Sequence, residues 1–138
     1  MTEHSFEAEL RIPASLEMLE HVYEWSRAQL DRLPLSENKR YEILLGISEA
    51  VTNAIRHGNK LDPSKHVSIS FLAESDGVTV TIGDEGDGFD PDILPDPTHG
   101  EHILIPSGRG VFLLRSLAEE VVFEKNDHGN IVIARFLT

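Results

Sequence analysis

No cysteine occurs in the 138 residues. Disulfides and thiolate metal sites are thereby excluded, and a reducing, cytoplasmic setting is the expected home. No apolar run approaches the length of a membrane span, so no membrane insertion is expected. The opening Met1-Thr2-Glu3-His4 lacks the positive charge of a secretory leader. Basic residues are scarce, with 12 Lys and Arg against 24 Asp and Glu and a net charge of −12. A surface of that sign repels polyphosphate backbones, so direct DNA or RNA binding is not expected. One nucleotide is a different matter, because backbone N–H groups and a metal can hold it without a basic surface. Gly-Lys-Ser/Thr is missing, so there is no P-loop, and Gly-x-Ser-x-Gly is missing, so there is no hydrolase elbow.

What is present reads as one domain over residues 1–138, long enough to bury roughly two-thirds of its unfolded surface. Phe6, Ala8, Leu10 and Ile12 alternate with polar residues and predict a strand that Pro13 ends. That strand offers an edge through which two copies can pair. Ser15 caps a helix expected from about Leu16 to Leu33, with Leu19, Val22, Tyr23 and Leu30 inward, and Pro34 stops it. Ser36 caps a second helix running to His57. Strands over Val67–Ala73 and Val78–Ile82 are joined through Asp76-Gly77, a hairpin signal. Asp90 to Ser107 is a long loop with four prolines, and a helix follows from Val111 to about Ala118. A second hairpin, Val121–Glu124 and Ile131–Phe136, turns at Asp127-His128-Gly129-Asn130. Strand, helix, helix, two strands, helix, two strands gives an α+β class: a mostly antiparallel mixed sheet with helices on one face.

The second helix carries the chemistry. Leu44, Leu45, Ile47, Ala50, Val51, Ala54 and Ile55 recur at helical spacing and predict a core face. Gly46, Glu49, Asn53 and Arg56/His57 stack in a row on the other side. One reading of that row is solvation. The other makes Glu49 and Asn53 a hard-oxygen pair, with a carboxylate for base work and an amide carbonyl able to ligate a small cation such as Mg²⁺. Gly58 fits the helix-ending position, followed by Asn59.

Two glycine clusters follow. Asp84-Glu85-Gly86-Asp87-Gly88 comes straight after an apolar strand. Its glycines let a flat ring approach the backbone, and Asp84 can accept from an exocyclic amine. A dinucleotide fingerprint and an EF-hand both fail on spacing, at Pro91 and at Phe89 with Pro95. A tight turn with solvated acids is the plainer reading. Gly108-Arg109-Gly110 opens a helix, whose free N–H groups make an anion site. Between Asp84 and Gly108 there are seven acidic residues and no Lys or Arg, so a phosphate chain there needs magnesium and cations from Arg109 or Arg56. His99 and His102 read as solvated loop residues rather than metal ligands, and Ile103-Leu104-Ile105 either offers apolar surface to a partner or, the reading preferred here, pins the loop to the core.

Glu-x-x-x-Asn on a helix, Asp-x-Gly-x-Gly after a strand, a variable loop and Gly-x-Gly opening a helix resemble, in that order, the GHKL ATPases. Glu49-Ala-Val-Thr-Asn-Ala-Ile-Arg-His-Gly-Asn59, Asp84-Glu-Gly-Asp-Gly-Phe89 and Gly108-Arg-Gly-Val-Phe-Leu-Leu114 are most similar to the small anti-sigma factor serine kinases of bacterial partner switching. The resemblance spans about Phe6 to Phe136. It implies a two-layer ATP-binding α/β sandwich with adenine near Asp84, Gly86 and Gly88 and phosphates near Gly108, Arg109 and Gly110. It further implies Asn53 as the Mg²⁺ ligand, Arg56 and His57 among the cofactor-binding residues, Glu49 as general base, and the long loop as a lid over ATP. Its members phosphorylate a serine on a STAS-fold anti-anti-sigma protein, sequester a sigma factor, and commonly form homodimers.

Two other functions compete with the kinase. A nucleotide-dependent binding switch, such as a phosphatase activator, has no need of a base, and Glu49 argues against it. The catalytic domain of a histidine kinase is disfavoured because no helical segment with a phosphoacceptor histidine is expected ahead of this domain.

Overall fold

A computed structural model of the chain describes residues 5–86, 114–126 and 129–138. Strand β1 (Phe6–Pro13) leads through a short 3₁₀ turn (Leu16–Met18) into helix α1 (Leu19–Leu30). Helix α2 (Glu37–Asn53) ends in a π-helical turn, Ala54–Gly58. Strands β2 (His66–Glu74) and β3 (Gly77–Asp84) come next, and residues 114–117 are helical. Strands β4 (Glu120–Asn126) and β5 (Gly129–Leu137) close the fold. The five strands form one sheet in the order β1-β2-β3-β5-β4, and all four pairings are antiparallel, so the expected mixed sheet is an antiparallel one.

Local chemistry sets the boundaries. Ser36 accepts from the Lys39 backbone N–H at 3.1 Å and starts α2. Ser15 accepts more weakly from Glu17, at 3.4 Å, so the first turn after it is 3₁₀ rather than α. Helix α1 stops at Leu30, short of the expected Leu33. Residues 31–33 close as tight turns ahead of Pro34, which disfavours α geometry at the residue before it. The hairpin between β2 and β3 turns at residues 75–76, and Gly77 is already in the strand, paired with Glu74.

Alternation along β2 sends Val67, Ile69, Phe71 and Ala73 to the core, with Val78, Val80 and Ile82 of β3 and Ala134 and Phe136 of β5 on the same side. The helices cover that face with Val22, Leu30, Ile43, Ile47, Ala50, Val51 and Ile55. Trp25 of α1 meets Phe71 edge-on, with ring centroids 5.4 Å apart. Each such side chain, fully buried, contributes about 1.5–3 kcal/mol. Two expected core residues differ: Tyr23 is 37% exposed and Leu45 41%. Both sit at the rim of the helix layer, where the apolar stripe is narrower than the sequence pattern implied. Strand β1 is an edge strand, as its alternation predicts.

Candidate functional site

The row expected along α2 is not one solvated stripe. Gly46 and Asn53 are buried, Glu49 is half-buried, and Arg56 and His57 are exposed. Asn53 is 2% exposed, and its Oδ1 has no hydrogen-bond partner among the described residues. An orphaned buried acceptor costs about 1–3 kcal/mol. A small hard cation is the partner that suits an amide oxygen in that position. Among the described residues no group of three or more His, Cys, Asp or Glu is placed to hold a metal.

Past Asn53 the helix widens. The N–H of Asn59 donates to the Ala54 carbonyl at 2.8 Å, and that of Leu61 to Ile55, also at 2.8 Å. Wide turns of this kind are frequent at functional sites. Arg56 and His57 fall inside this wide turn and are exposed, unlike Asn53. Arg56 makes no ion pair among the described residues.

Gly58 ends the helical segment, with Asn59 as its cap, as the sequence predicts, and the left-handed conformation falls instead on Lys60 and Leu61, with φ of 53° and 60°. Gly58 is glycine for want of room. A Cβ there would stand 2.3 Å from Asp84 Oδ2, and one on Gly86 would stand 1.4 Å from the Gly58 carbonyl oxygen. The end of the π turn and the corner after β3 are thus in backbone contact.

Asp84 is the electrostatic centre of that corner. Its Oδ1 accepts from the Gly86 backbone N–H at 2.9 Å and from Asn130 Nδ2 at 3.2 Å. Burial pushes its carboxyl above the ordinary range. Donors from Asn130 and Gly86, with the charge of Lys65, oppose that rise without cancelling it.

Sequence reasoning missed two buried amides that build this site. Asn59, fully buried, donates through Nδ2 to the His66 carbonyl at 3.0 Å and accepts from the Glu85 N–H through Oδ1 at 2.9 Å. The Glu85 carboxylate in turn accepts from the His66 backbone N–H and stands 3.5 Å from His66 Nδ1. Asn130, placed by the sequence in a turn, lies in β5 opposite Asp84. The partners of these amides are distant in the chain, and no local signal marks them. Gly88, Gly108, Arg109, Gly110 and the loop residues His99, His102 and Ile103-Leu104-Ile105 lie outside the described residues, as do Asp127 and His128.

A five-stranded antiparallel sheet backed on one face by helices, with an asparagine-bearing helix ending on an acidic glycine corner, defines a nucleotide-binding class. The chain belongs to the histidine kinase-like ATPase domain family, whose pattern matches residues 12–136. Among curated relatives it is similar to the serine-protein kinase RsbW of Bacillus subtilis (strain 168), 28% identical over 135 residues that cover 94% of this chain and 84% of that protein. The RsbW of Staphylococcus aureus (strain MSSA476) is 27% identical over 136 residues, covering 94% and 86%. Its fold is like that of the RsbU and RsbW domains of Rv1364c from Mycobacterium tuberculosis, with TM-score 0.65 and 16% identity, over 96% of this chain and 33% of that one. It is also like the Erythrobacter litoralis EL346 blue-light activated histidine kinase, with TM-score 0.60 and 22% identity, over 91% of this chain and 42% of that one. The chain spans less than half the length of either solved structure. Among the described residues no helix is long and apolar enough to cross a membrane.

Proposed function

We propose that the protein is an ATP-dependent serine-protein kinase that also acts as an anti-sigma factor. The observation that carries this reading is the buried, unpartnered Oδ1 of Asn53, one turn after Glu49, on a helix that ends against Asp84 and Gly86. In this reading Asp84 accepts the exocyclic amine of adenine, with Gly86 and Gly88 flanking the ring. Gly108, Arg109 and Gly110 take the phosphates through backbone N–H groups and one guanidinium, helped by Arg56 and His57 at the π turn. Asn53 holds Mg²⁺, which when bound offsets phosphate charge.

Glu49 orients the serine hydroxyl of the partner and accepts its proton as the hydroxyl oxygen bonds to the γ-phosphorus. The bond from that phosphorus to the bridging oxygen breaks, and ADP leaves. Phosphoryl transfer needs positioning and charge neutralisation more than covalent participation, so this short inventory suffices. The substrate is a STAS-type anti-anti-sigma protein, and the second partner is a sigma factor sequestered when that protein is phosphorylated. The chain works as a soluble cytoplasmic protein, and pairing of two copies through the β1 edge gives a homodimer.

The test is transfer of labelled γ-phosphate to a STAS-domain protein, with magnesium and with chelator, using wild type and Glu49→Gln. Magnesium-dependent transfer that Glu49→Gln reduces by two orders of magnitude or more is expected. Tight ATP binding without transfer under any magnesium condition would replace the kinase with a nucleotide-dependent binding switch.

A further inference from the structure

We infer that Asn130 is a positioning residue for nucleobase selection: its amide fixes Asp84 and Gly86 in one arrangement, so that the carboxylate discriminates an amino-substituted from an oxo-substituted purine. This rests on the reading of Asp84 as the base acceptor. Asn130 is 8% exposed and pairs across the β3–β5 ladder with Asp84 itself. Gly129 brings it there: with φ of 149° and no Cβ, it lets β5 pass where a Cβ would stand 1.7 Å from the Asp84 carbonyl oxygen.

Asn130 Nδ2 lies 3.2 Å from Asp84 Oδ1 and 3.2 Å from the Gly86 carbonyl oxygen. Both neighbours are acceptors, so only the NH₂ end of the amide can face them, and its two hydrogens serve one each. The Gly86 N–H donates to the same Oδ1 at 2.9 Å. Neither of these donors serves Oδ2, which lies over Gly58. The Asn130 backbone N–H is a further donor to the carboxylate; among the described residues the amide and the Gly86 N–H engage Oδ1, and Oδ2, over Gly58, is the oxygen a base would meet.

A base that offers an amine to Oδ2 gains a charge-assisted hydrogen bond. One that offers a carbonyl sets acceptor against acceptor. That contrast survives only while the carboxylate stays ionised and cannot turn. A protonated carboxyl can donate to a carbonyl, and a rotated one can move away from it. Burial favours the protonated form, and the donors to Oδ1 oppose it. The charged neighbours are Lys65, which favours ionisation, and Glu85, whose carboxylate is engaged by His66. Asn130 therefore holds both the rotation and the proton state of the selecting group.

The experiment measures ATP and GTP affinity of the full chain from acid to neutral pH in wild type, Asn130→Leu, Asn130→Ser and Asp84→Asn. Asn130→Leu is expected to lower ATP affinity about tenfold, the scale of one hydrogen bond to a charged group. It should also narrow the ATP-to-GTP preference and move the acid limb of ATP binding to higher pH; Asn130→Ser, which keeps one donor, should fall between. A merely structural residue would move neither the ratio nor the acid limb. If Asn130→Leu does not fold, Asn130→Ser decides alone, and an unchanged ratio and acid limb in it overturn the inference. If ATP binding depends on Asp84 but is indifferent to both Asn130 variants, only this inference falls. If Asp84→Asn leaves ATP affinity intact, the nucleotide reading falls and takes the inference with it.

Discussion

Gly58 and Asp84, 26 positions apart, are so close that a single added carbon at Gly58 would overlap the carboxylate, 2.3 Å from Oδ2. The same corner is tighter still at Gly86, where the obstacle is the Gly58 carbonyl oxygen at 1.4 Å. A side chain can swing away; a backbone carbonyl cannot. Gly58→Ala should therefore cost about 1–3 kcal/mol, the usual price of overpacking, and most of that should return in an Asp84→Gly background. Gly86→Ala should cost more than Gly58→Ala and regain little in the same background. A double-mutant cycle by urea unfolding checks both, and equal recovery in the two cycles would contradict the geometry.

Asp84 is expected to oppose stability at neutral pH. Its carboxyl is raised in the folded state, first by burial, so the folded form binds the proton more readily than the unfolded chain. Its stabilising contribution is full below the unfolded value and is lost as pH rises through the folded one. Asp84→Asn should thus melt higher than wild type at pH 7. The gain should shrink as pH falls through the raised folded value. Thermal melts across that range, beside an ATP titration that the variant fails, show whether function is kept here against stability.

Asn53→Leu replaces an amide whose oxygen lacks a partner with an apolar side chain of similar volume. Without nucleotide the variant should be no less stable than wild type, and more stable by up to about 1 kcal/mol. Wild type should gain thermal stability on adding Mg-ATP, and the variant should gain none from magnesium. A large loss of stability in the ligand-free variant would mean that the oxygen is satisfied after all.

Asn59→Leu should behave in the opposite way. It leaves the His66 carbonyl and the Glu85 N–H without their partner at a fully buried position. A loss of about 2–4 kcal/mol is expected, read as a lowered urea midpoint. Asn59→Asp keeps the acceptor for Glu85 but buries a carboxylate oxygen against the His66 carbonyl, and should be no more stable than Asn59→Leu.

Much of this fold was legible because its signals are local. Ser15, Ser36 and Pro34 punctuate the helices where the sequence placed them, within the usual blur at the ends, and alternation along Phe6–Ile12 and Val67–Ala73 marked which strand faces are buried. The site was legible only in part. Glu49, Asn53, Asp84 and Gly86 stood out by residue type and order. The reason for Gly58 could not be read, because its neighbour is Asp84 and not the next turn of helix. Asn59 and Asn130 escaped for the same cause: each acts on residues many positions away. The wide turn over Ala54–Gly58 escaped too, because a period of 3.6 cannot announce where a helix will widen.

That widening fixes how the segment can be handled. Over Ala54–Gly58 the chain spends one residue more than a regular helix of the same rise. Inserting a further residue there would turn everything downstream by about 100°, swinging Gly58 and Asn59 out of phase with β3. Chimeras with other members of the family should therefore be spliced ahead of Asn53 or beyond Leu61, carrying the stretch between as one indivisible cassette.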